Sequence, residues 1–370
     1  MVDLKSQYEH IKDKVDKAIH GVFESTDFIN GTEVKKFQKD FEEYLDVKHV
    51  IPCGNGTDAL QLAMMGLGLK QGDEIITVDF TFAATVEVIA LLKLTPVLVD
   101  VEKDSFNMDI TSLKKAITKK TKAIVPVHLF GQCSNMEAIL EIAKKHNISV
   151  IEDTAQAIGA EYTFSNGKIK KAGTIGTIGT TSFFPSKNLG CFGDGGAVFT
   201  NDDELAHSIR GMVNHGMYKK YYHDVVGVNS RLDSIQAAIL RVKLPLLDSY
   251  CSARRKSAEY YTSKFKVSDK IITPQTSDFS SHVFHQYTLQ IINADRDALH
   301  EYLKENNIPN AIYYPVPLHR QKAYVKYEYN DDDFKTTNEL VKSVISLPMH
   351  TELETEQQDL ITNTILDFLN

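Results

Sequence analysis

Short apolar runs alternate with amphipathic stretches through the first two thirds of the chain. In "NGTEVKKFQKDFEEYL" (30–45) the apolar residues Val34, Phe37, Phe41 and Tyr44 fall on one helical face. With the amphipathic segment before it, residues 1–46 read as helical. Beyond them, the runs His49–Cys53, Glu74–Val78, Pro96–Val101, Ala123–Leu129, Ile148–Ile151, Thr181–Phe184 and Gly196–Thr200 have the length and apolarity of buried strands. Helical stretches lie between them. "TDALQLAMMGL" begins at Thr57. "SNMEAILEIAKKH" opens on a capping-box pair, Ser134 and Glu137, and sets Met136, Ile139, Leu140 and Ala143 on one face. "NSRLDSIQAAILRVKL" carries a stripe of Leu232, Ile235, Ile239 and Val242. Such alternation predicts the α/β class, a mostly parallel sheet flanked by helices. From about residue 250 the pattern changes: "CSARRKSAEYYTSKF" is helical, "HVFHQYTLQI" follows, then further helices. The expected division is a large domain over 1–250 and a smaller C-terminal α+β domain over 251–370, with the N-terminal helix available to pack on the small domain.

Composition narrows the function classes. The 370 residues carry a net charge of -8 with no basic stripe, which argues against a nucleic-acid partner. Pairs such as Lys170-Lys171 and Lys219-Lys220 are too short to form a basic tract. Cys53, Cys133, Cys191 and Cys251 lack the spacing of a zinc site or a disulfide frame, so no metal is expected. The start "MVDLKSQYEH" has no signal-peptide core, and no stretch reaches the ~20 apolar residues of a membrane span. A cytoplasmic protein with reduced thiols is expected.

Ligands of parallel sheets bind beyond the carboxyl ends of the strands, so the residues after each run carry the chemistry. After the first run, "CGNGTDAL" places Gly54, Gly56 and Ala59 in a G-x-G-x-x-A pattern. Such a turn opens a helix whose free N–H groups hold phosphate; Thr57 adds a hydroxyl and Asp58 a helix cap. A nicotinamide-dependent oxidoreductase would use the same loop, and Asp79 sits about where its ribose-binding acid belongs. "DFTFAAT" (79–85) offers Phe82 as a face for a flat ring. In "IEDTAQAIGA" (151–160), Glu152 and Asp153 carry at least one carboxylate into the interior or the crevice, where it needs a cation or several donors. A cationic ring nitrogen would meet that need, and Gln156 lies within reach of a ring substituent. "SFFPSKNLGCFGDGGAVFT" (182–200) sets Lys187 in an apolar, glycine-rich turn, with Ser182 as a second phosphate-binding hydroxyl. Desolvation there makes its amine a nucleophile. A phosphate cradle, a stacking aromatic, an acid for a ring nitrogen and a reactive lysine are together what pyridoxal 5'-phosphate requires.

These segments, in this order and nearly end to end, resemble the DegT/DnrJ/StrS family of sugar aminotransferases, which have the aspartate-aminotransferase type of fold (fold type I). The matching pieces run from "DLKSQY" and "FINGTEVKKF" through "GNGTDAL", "DFTFAAT", "PVHLFGQ", "EDTAQAIGA" and "SFFPSKNLGCFGDGGA" to "GVNSRLDSIQAAIL", "YYPVPLH" and "SLPMH". The resemblance implies Lys187 as the Schiff-base lysine and proton shuttle, Asp153 against the ring nitrogen and Gln156 near the ring hydroxyl. It implies Gly56, Thr57, Asp58 and Ser182 around the phosphate and Phe82 stacked on the ring. Asn229 would reach the phosphate from the other subunit of a homodimer. Arg231, Tyr313 and His319 would face the sugar. Family members acting as sugar dehydrases carry histidine in place of the lysine, so Lys187 favours transamination.

The activity implied is transfer of an amino group from L-glutamate to a keto-sugar linked to a nucleotide diphosphate, in amino-sugar or surface-polysaccharide biosynthesis. "PVHLFGQ" and "NLGCFGDGG" resemble members acting at C3, with C4 as the alternative. Two other readings stand beside it: the oxidoreductase, which leaves Lys187 and Asp153 without roles, and a non-catalytic sensor on the same fold.

Overall fold

The computed structural model describes residues 1–369. Its central sheet has seven strands: β1 His49–Cys53, β2 Glu74–Val78, β3 Thr95–Val99, β4 Thr121–Val125, β5 Ser149–Asp153, β6 Ile178–Ser182 and β7 Gly196–Thr200. Their order is β1-β7-β6-β5-β4-β2-β3. β7 runs antiparallel to both neighbours, and the pairs from β6 through β3 are parallel. The strands are mostly apolar along their lengths because helices cover both faces. Ile76, Ile124, Val150 and Phe199 enter one apolar cluster, while Ile75, Val125, Ile151 and Val198 enter the cluster on the opposite face. That is the period of two that a strand imposes, and each such side chain contributes about 1.5–3 kcal/mol by leaving water.

Six helices matter for the site: α1 Leu4–Ser25, α2 Thr32–Leu45, α3 Gly56–Gly66, α4 Met136–His146, α5 Ser234–Lys243 and α6 Leu247–Phe265. α2 buries Val34, Phe37 and Phe41 as its spacing predicts. Two local readings need correction. α4 is capped by Asn135, whose side chain accepts the Ala138 N–H; the Ser134 hydroxyl turns to Val127 O and the Glu137 carboxylate to Ser165. Leu232 is buried ahead of α5, not on it. α5 presents Ile239 to Ile11 and Val15 of α1 and, on its other side, Ala237 and Leu240 to the sheet's core.

A second antiparallel sheet, β8 Ile271–Ile272, β9 Tyr287–Ile291 and β10 Val344–Leu347, packs with later helices around Leu289, Leu299, Leu303, Ile345, Ile361 and Ile365. α6 belongs to both cores: Leu247 and Cys251 pack toward the large sheet, Tyr261 and Phe265 toward the small one. The N-terminus meets the chain beyond β10, where Met349 N–H donates to Met1 O and Gln7 Nε2 to Thr351 Oγ1. No helix among the described residues is long and apolar enough to cross a membrane.

Candidate active site

The carboxyl ends of β2, β5 and β6 meet at one edge of the sheet, beside the start of α3. On β5 neighbouring carboxylates take different surroundings. Glu152 is fully buried and accepts N–H groups from Gly173 (2.9 Å), Ile175 (2.7 Å) and Gly176 (2.6 Å). Its fourth partner is His128 Nε2 at 2.9 Å; His128 Nδ1 accepts the Ser134 N–H, which assigns the ring proton to Nε2. Asp153, one residue on, accepts among the described residues only from Thr85 Oγ1 (2.9 Å) and Ala155 N–H (3.1 Å).

Lys187 sits in the turn after β6. The main chain closes that turn through Lys187 N–H to Phe184 O (2.8 Å) and Cys191 N–H to Phe183 O (2.8 Å). A Cβ on Gly190 would lie 2.4 Å from Pro185 O, so the loop folds this tightly only with glycine there. Lys187 is half-buried as a residue, yet its amine is crowded by protein and has no hydrogen-bond acceptor among the described residues. Loss of water lowers its pKa from 10.5 to about 8, against the opposing pull of the Asp153 charge.

Several of the remaining expected residues lie on the turns that follow these strands and at the start of α3. Phe82 is 60% exposed, so it is no core aromatic; its ring lies 6.4 Å from that of Tyr314. Gln156 accepts the Phe130 N–H (2.7 Å) and donates to the Tyr314 hydroxyl (3.2 Å). The Phe130 N–H points there because the expected Ala123–Leu129 strand stops at Val125 and the chain turns through Phe130 at φ 58°. Asn55, not Asp58 as expected, caps α3 by accepting the Asp58 N–H (2.8 Å), because Asn55 rather than Asp58 precedes the first turn; the N–H groups of Gly56 and Thr57 meet no acceptor among the described residues. An added Cβ on Gly56 would lie 2.6 Å from Ser182 Cβ, so the helix start abuts the end of β6. Gly54 N–H donates to Ser230 Oγ (2.9 Å), fastening the 229–231 segment to the same turn. Asn229 beside it is exposed, and Arg231 has no hydrogen bond or ion pair among the described residues. Tyr313 is half-buried next to Tyr314.

His319 departs from expectation. It is buried, with Nδ1 2.6 Å from Asp79 Oδ2 and Nε2 2.9 Å from Asp331 Oδ1. Neither ring nitrogen is free for a substrate. The same contacts occupy Asp79, whose other oxygen accepts the His319 N–H at 2.7 Å, so the ribose-binding acid of the oxidoreductase reading is spent inside the protein.

Residue patterns alone missed three contributors. Thr85 lies in the quoted "DFTFAAT" but has no signal of its own. Lys243 is buried, donates to Gly190 O (2.6 Å), and has its pKa lowered to about 8 by loss of water. Gln236 accepts the Phe192 N–H (2.9 Å), so α5 clamps the glycine loop at two points. The lone lysine in "ILRVKL" was the available hint.

Residues 9–366 match the DegT/DnrJ/EryC1/StrS aminotransferase family. The chain belongs to this family. It is an aminotransferase, and its cofactor is pyridoxal phosphate. It is 47% identical over 370 residues, covering 100% of the chain and 98% of the relative, to a "pleiotropic regulatory protein" of Geobacillus stearothermophilus. It is 44% identical over 357 residues, 96% of each chain, to UDP-2-acetamido-2-deoxy-3-oxo-D-glucuronate aminotransferase of Pseudomonas aeruginosa. Among solved structures, S. venezuelae DesV in complex with a ketimine intermediate superposes with a TM-score of 0.94 at 37% identity, covering 99% of this chain and 97% of that one. The ntda protein of Bacillus subtilis with bound cofactor PMP gives 0.89 at 29% identity, over 96% and 81%. The free N–H groups at α3, the exposed Phe82, the under-satisfied Asp153 and the desolvated Lys187 fit such a cofactor.

Proposed function

We propose that the protein moves the amino group of L-glutamate to C3 of a 3-keto sugar carried on a nucleoside diphosphate. The observation that carries this reading is the desolvated Lys187 amine beside an Asp153 carboxylate with spare acceptor capacity. Relatives at 44% and 42% identity bear the names of a 3-oxo-glucuronate and a 3-dehydro-glucosamine aminotransferase, which supports position 3.

When bound, pyridoxal phosphate supplies a carbonyl that takes up the amino group and a ring that stabilises charge at the reacting carbon. The N–H groups of Gly56 and Thr57, at the positive end of α3, hold the phosphate together with the hydroxyls of Thr57 and Ser182; Asp58 helps set that first turn. Phe82 covers one face of the ring. Asp153, oriented by Thr85, keeps the ring nitrogen protonated, and Gln156 meets the ring hydroxyl. The Lys187 amine takes the proton from the α-carbon of glutamate and, in the return half of the cycle, delivers one to C3 of the sugar. Residues 1–250 carry the cofactor groups, and residues 251–370 with Tyr313 close the crevice over the sugar. Asn229, exposed within one chain, and the half-buried Arg231, which has no partner among the described residues, serve the site of a second copy in a homodimer.

The test is to incubate the purified protein with glutamate and a panel of nucleotide-linked 3-keto and 4-keto sugars, measuring 2-oxoglutarate and amino sugar. Product from the 3-keto compounds supports the proposal. Product from the 4-keto compounds alone replaces it with the C4 reading. The name of the regulatory relative keeps a sensor in view: a protein that binds the cofactor yet releases no 2-oxoglutarate with any sugar would favour it.

A further inference from the structure

We propose that His319 is a positioning residue, a latch held between Asp79 and Asp331 that fastens the 313–319 segment to the end of β2 and so sets Phe82 and the Tyr313–Tyr314 pair. The inference rests on the cofactor- and sugar-lining roles given above to Phe82 and to that segment.

The latch is built from both sides. Asp79 follows β2 directly, three residues before Phe82. Its main-chain oxygen accepts the Leu318 N–H (3.3 Å), Oδ1 accepts the His319 N–H (2.7 Å), and Oδ2 faces His319 Nδ1 (2.6 Å). On the other side, Nε2 faces Asp331 Oδ1 (2.9 Å), and the Arg320 guanidinium grips the same carboxylate, Nε on Oδ1 and Nη2 on Oδ2, at 2.7 Å each. The Asn338 amide holds Asp331 O (3.1 Å), and Phe334 stacks on the imidazole at 4.4 Å. Tyr314 stands five residues before His319 and reaches Gln156 and Phe82. The latch therefore joins the two arms that carry the ring-covering aromatics.

The geometry sets the protonation state. Each ring nitrogen faces a carboxylate oxygen, so each must carry a proton for both contacts to attract. A neutral imidazole would turn one lone pair toward a carboxylate and release that side. Burial works against the charge, but the bonds to Asp79 and Asp331 outweigh it and raise the His319 pKa above 6.5. Burial also raises the pKa of the Asp79 carboxyl. Its oxygens nevertheless each meet an N–H of His319, so carboxylate and imidazolium is the paired state. Other charged or titratable groups packed around the latch are Asp100 at the end of β3, Glu87 on the helix after β2, Arg320, and Tyr324, Tyr327 and Tyr329. A raised histidine pKa means the latch is closed at lower pH and opens as pH climbs through that value.

The test compares the full-length protein with Asp331→Asn, a substitution at a surface carboxylate, and with Asp331→Glu as the conservative rescue. Nitrogen-15 histidine spectra follow His319, assigned with His319→Gln. Equilibrium binding of pyridoxal phosphate and the KM for the sugar are followed over the same pH range. Native and variant proteins share Lys187, so their difference isolates the latch. The expected result is an imidazolium that titrates above 6.5, titrates lower in Asp331→Asn, and regains its position in Asp331→Glu. Cofactor affinity and sugar KM should weaken roughly three- to tenfold with the same midpoints, while kcat at saturation changes little. A histidine that titrates at or below the free value, or affinities indifferent to its titration, would overturn the proposal. A protein that turns over no 3-keto sugar yet shows cofactor affinity titrating with His319 would retire the substrate reading and leave the latch in place.

Discussion

Asp153→Asn should make Lys187 a better nucleophile and the enzyme a worse catalyst. Desolvation lowers the Lys187 pKa from 10.5 to about 8, and the Asp153 charge opposes that fall. At ~1.4 kcal/mol per pH unit the net drop is about 3 kcal/mol in favour of the neutral amine. At about pH 7.5 roughly a quarter of the amine is then neutral, against about one part in a thousand for a free lysine, a gain of roughly 200-fold in reactive form. Removing the opposing charge should carry the pKa below its native value and raise the neutral fraction further. If Asp153 pairs with the cofactor's ring nitrogen as proposed, the same change removes that anionic partner, and turnover should fall about 100-fold or more. The assay is stopped-flow mixing of cofactor-free protein with pyridoxal phosphate, reading the rate of absorbance change against pH. The rate should follow the neutral fraction, with a midpoint near 8 in the native protein and lower in the variant. A native midpoint near that of free lysine, or an upward movement in Asp153→Asn, would refute the placement of the amine in a dry pocket beside this carboxylate.

Lys187→Met should abolish transfer and stabilise the cofactor-free protein at neutral pH by up to about 3 kcal/mol, less whatever Asp153 loses in its charged neighbour. The sign follows from a folded pKa below the unfolded one: the native protein should gain stability as pH rises from about 8 to 10.5, and the variant should lose that slope in denaturant titrations. Glu152→Gln leaves a buried network of three N–H donors and His128 mismatched and should lower stability by about 3–5 kcal/mol, read as a fall in the urea midpoint. Thr85→Val removes a buried 2.9 Å bond to Asp153 and should cost about 1–2 kcal/mol of stability, with weaker cofactor binding in equilibrium dialysis. Gly56→Ala drives a methyl to 2.6 Å from Ser182 Cβ and should reduce cofactor affinity at least tenfold by ligand titration, without changing the sheet's circular dichroism.

The sheet was legible because its strands are buried on both faces and its helices are not. Continuous apolar runs and 3.6-residue spacing are then unambiguous, and β1, β2 and β7 match the expected runs residue for residue, while β4 and β5 overlap theirs only in part. Boundaries were less so wherever side chains rather than apolar pattern set them. Asn135 outcompetes Ser134 as a cap because Val127 O takes the serine hydroxyl, a contact made by chain seven residues away. Lys187 was legible because an ammonium set in an apolar glycine loop loses its water at a cost that a reactive amine turns to use. His319 was not: a histidine after "YYPVPL" has the same sequence signature whether it faces a ligand or pairs with Asp79, 240 residues distant. Thr85, Gln236 and Lys243 act by contacts of that long-range kind, and only Lys243, a lone lysine in an apolar stretch, carries any local mark.

Three aspartates occupy equivalent places, just at or past the carboxyl ends of parallel strands: Asp79 after β2, Asp100 after β3 and Asp153 closing β5. Topology alone would let any of them meet a ligand in the crevice. Their acceptor use separates them. A carboxylate offers about four acceptor sites. Asp100 fills them with Val101 N–H, Thr336 N–H, and the N–H and hydroxyl of Thr337, capping the helix that begins at Lys335. Asp79 receives two short bonds from His319, one from a ring that its position requires to be cationic. Asp153 receives one hydroxyl and one N–H, and no cation lies within ion-pair distance among the described residues. A buried anion left with spare acceptor sites is destabilised until something positive or strongly donating arrives. Lys187, whose charge feels Asp153, holds its proton only weakly because it too is dry. The one aspartate the protein does not satisfy is thus the one facing the desolvated amine, and a protonated aromatic nitrogen would supply the partner the fold withholds.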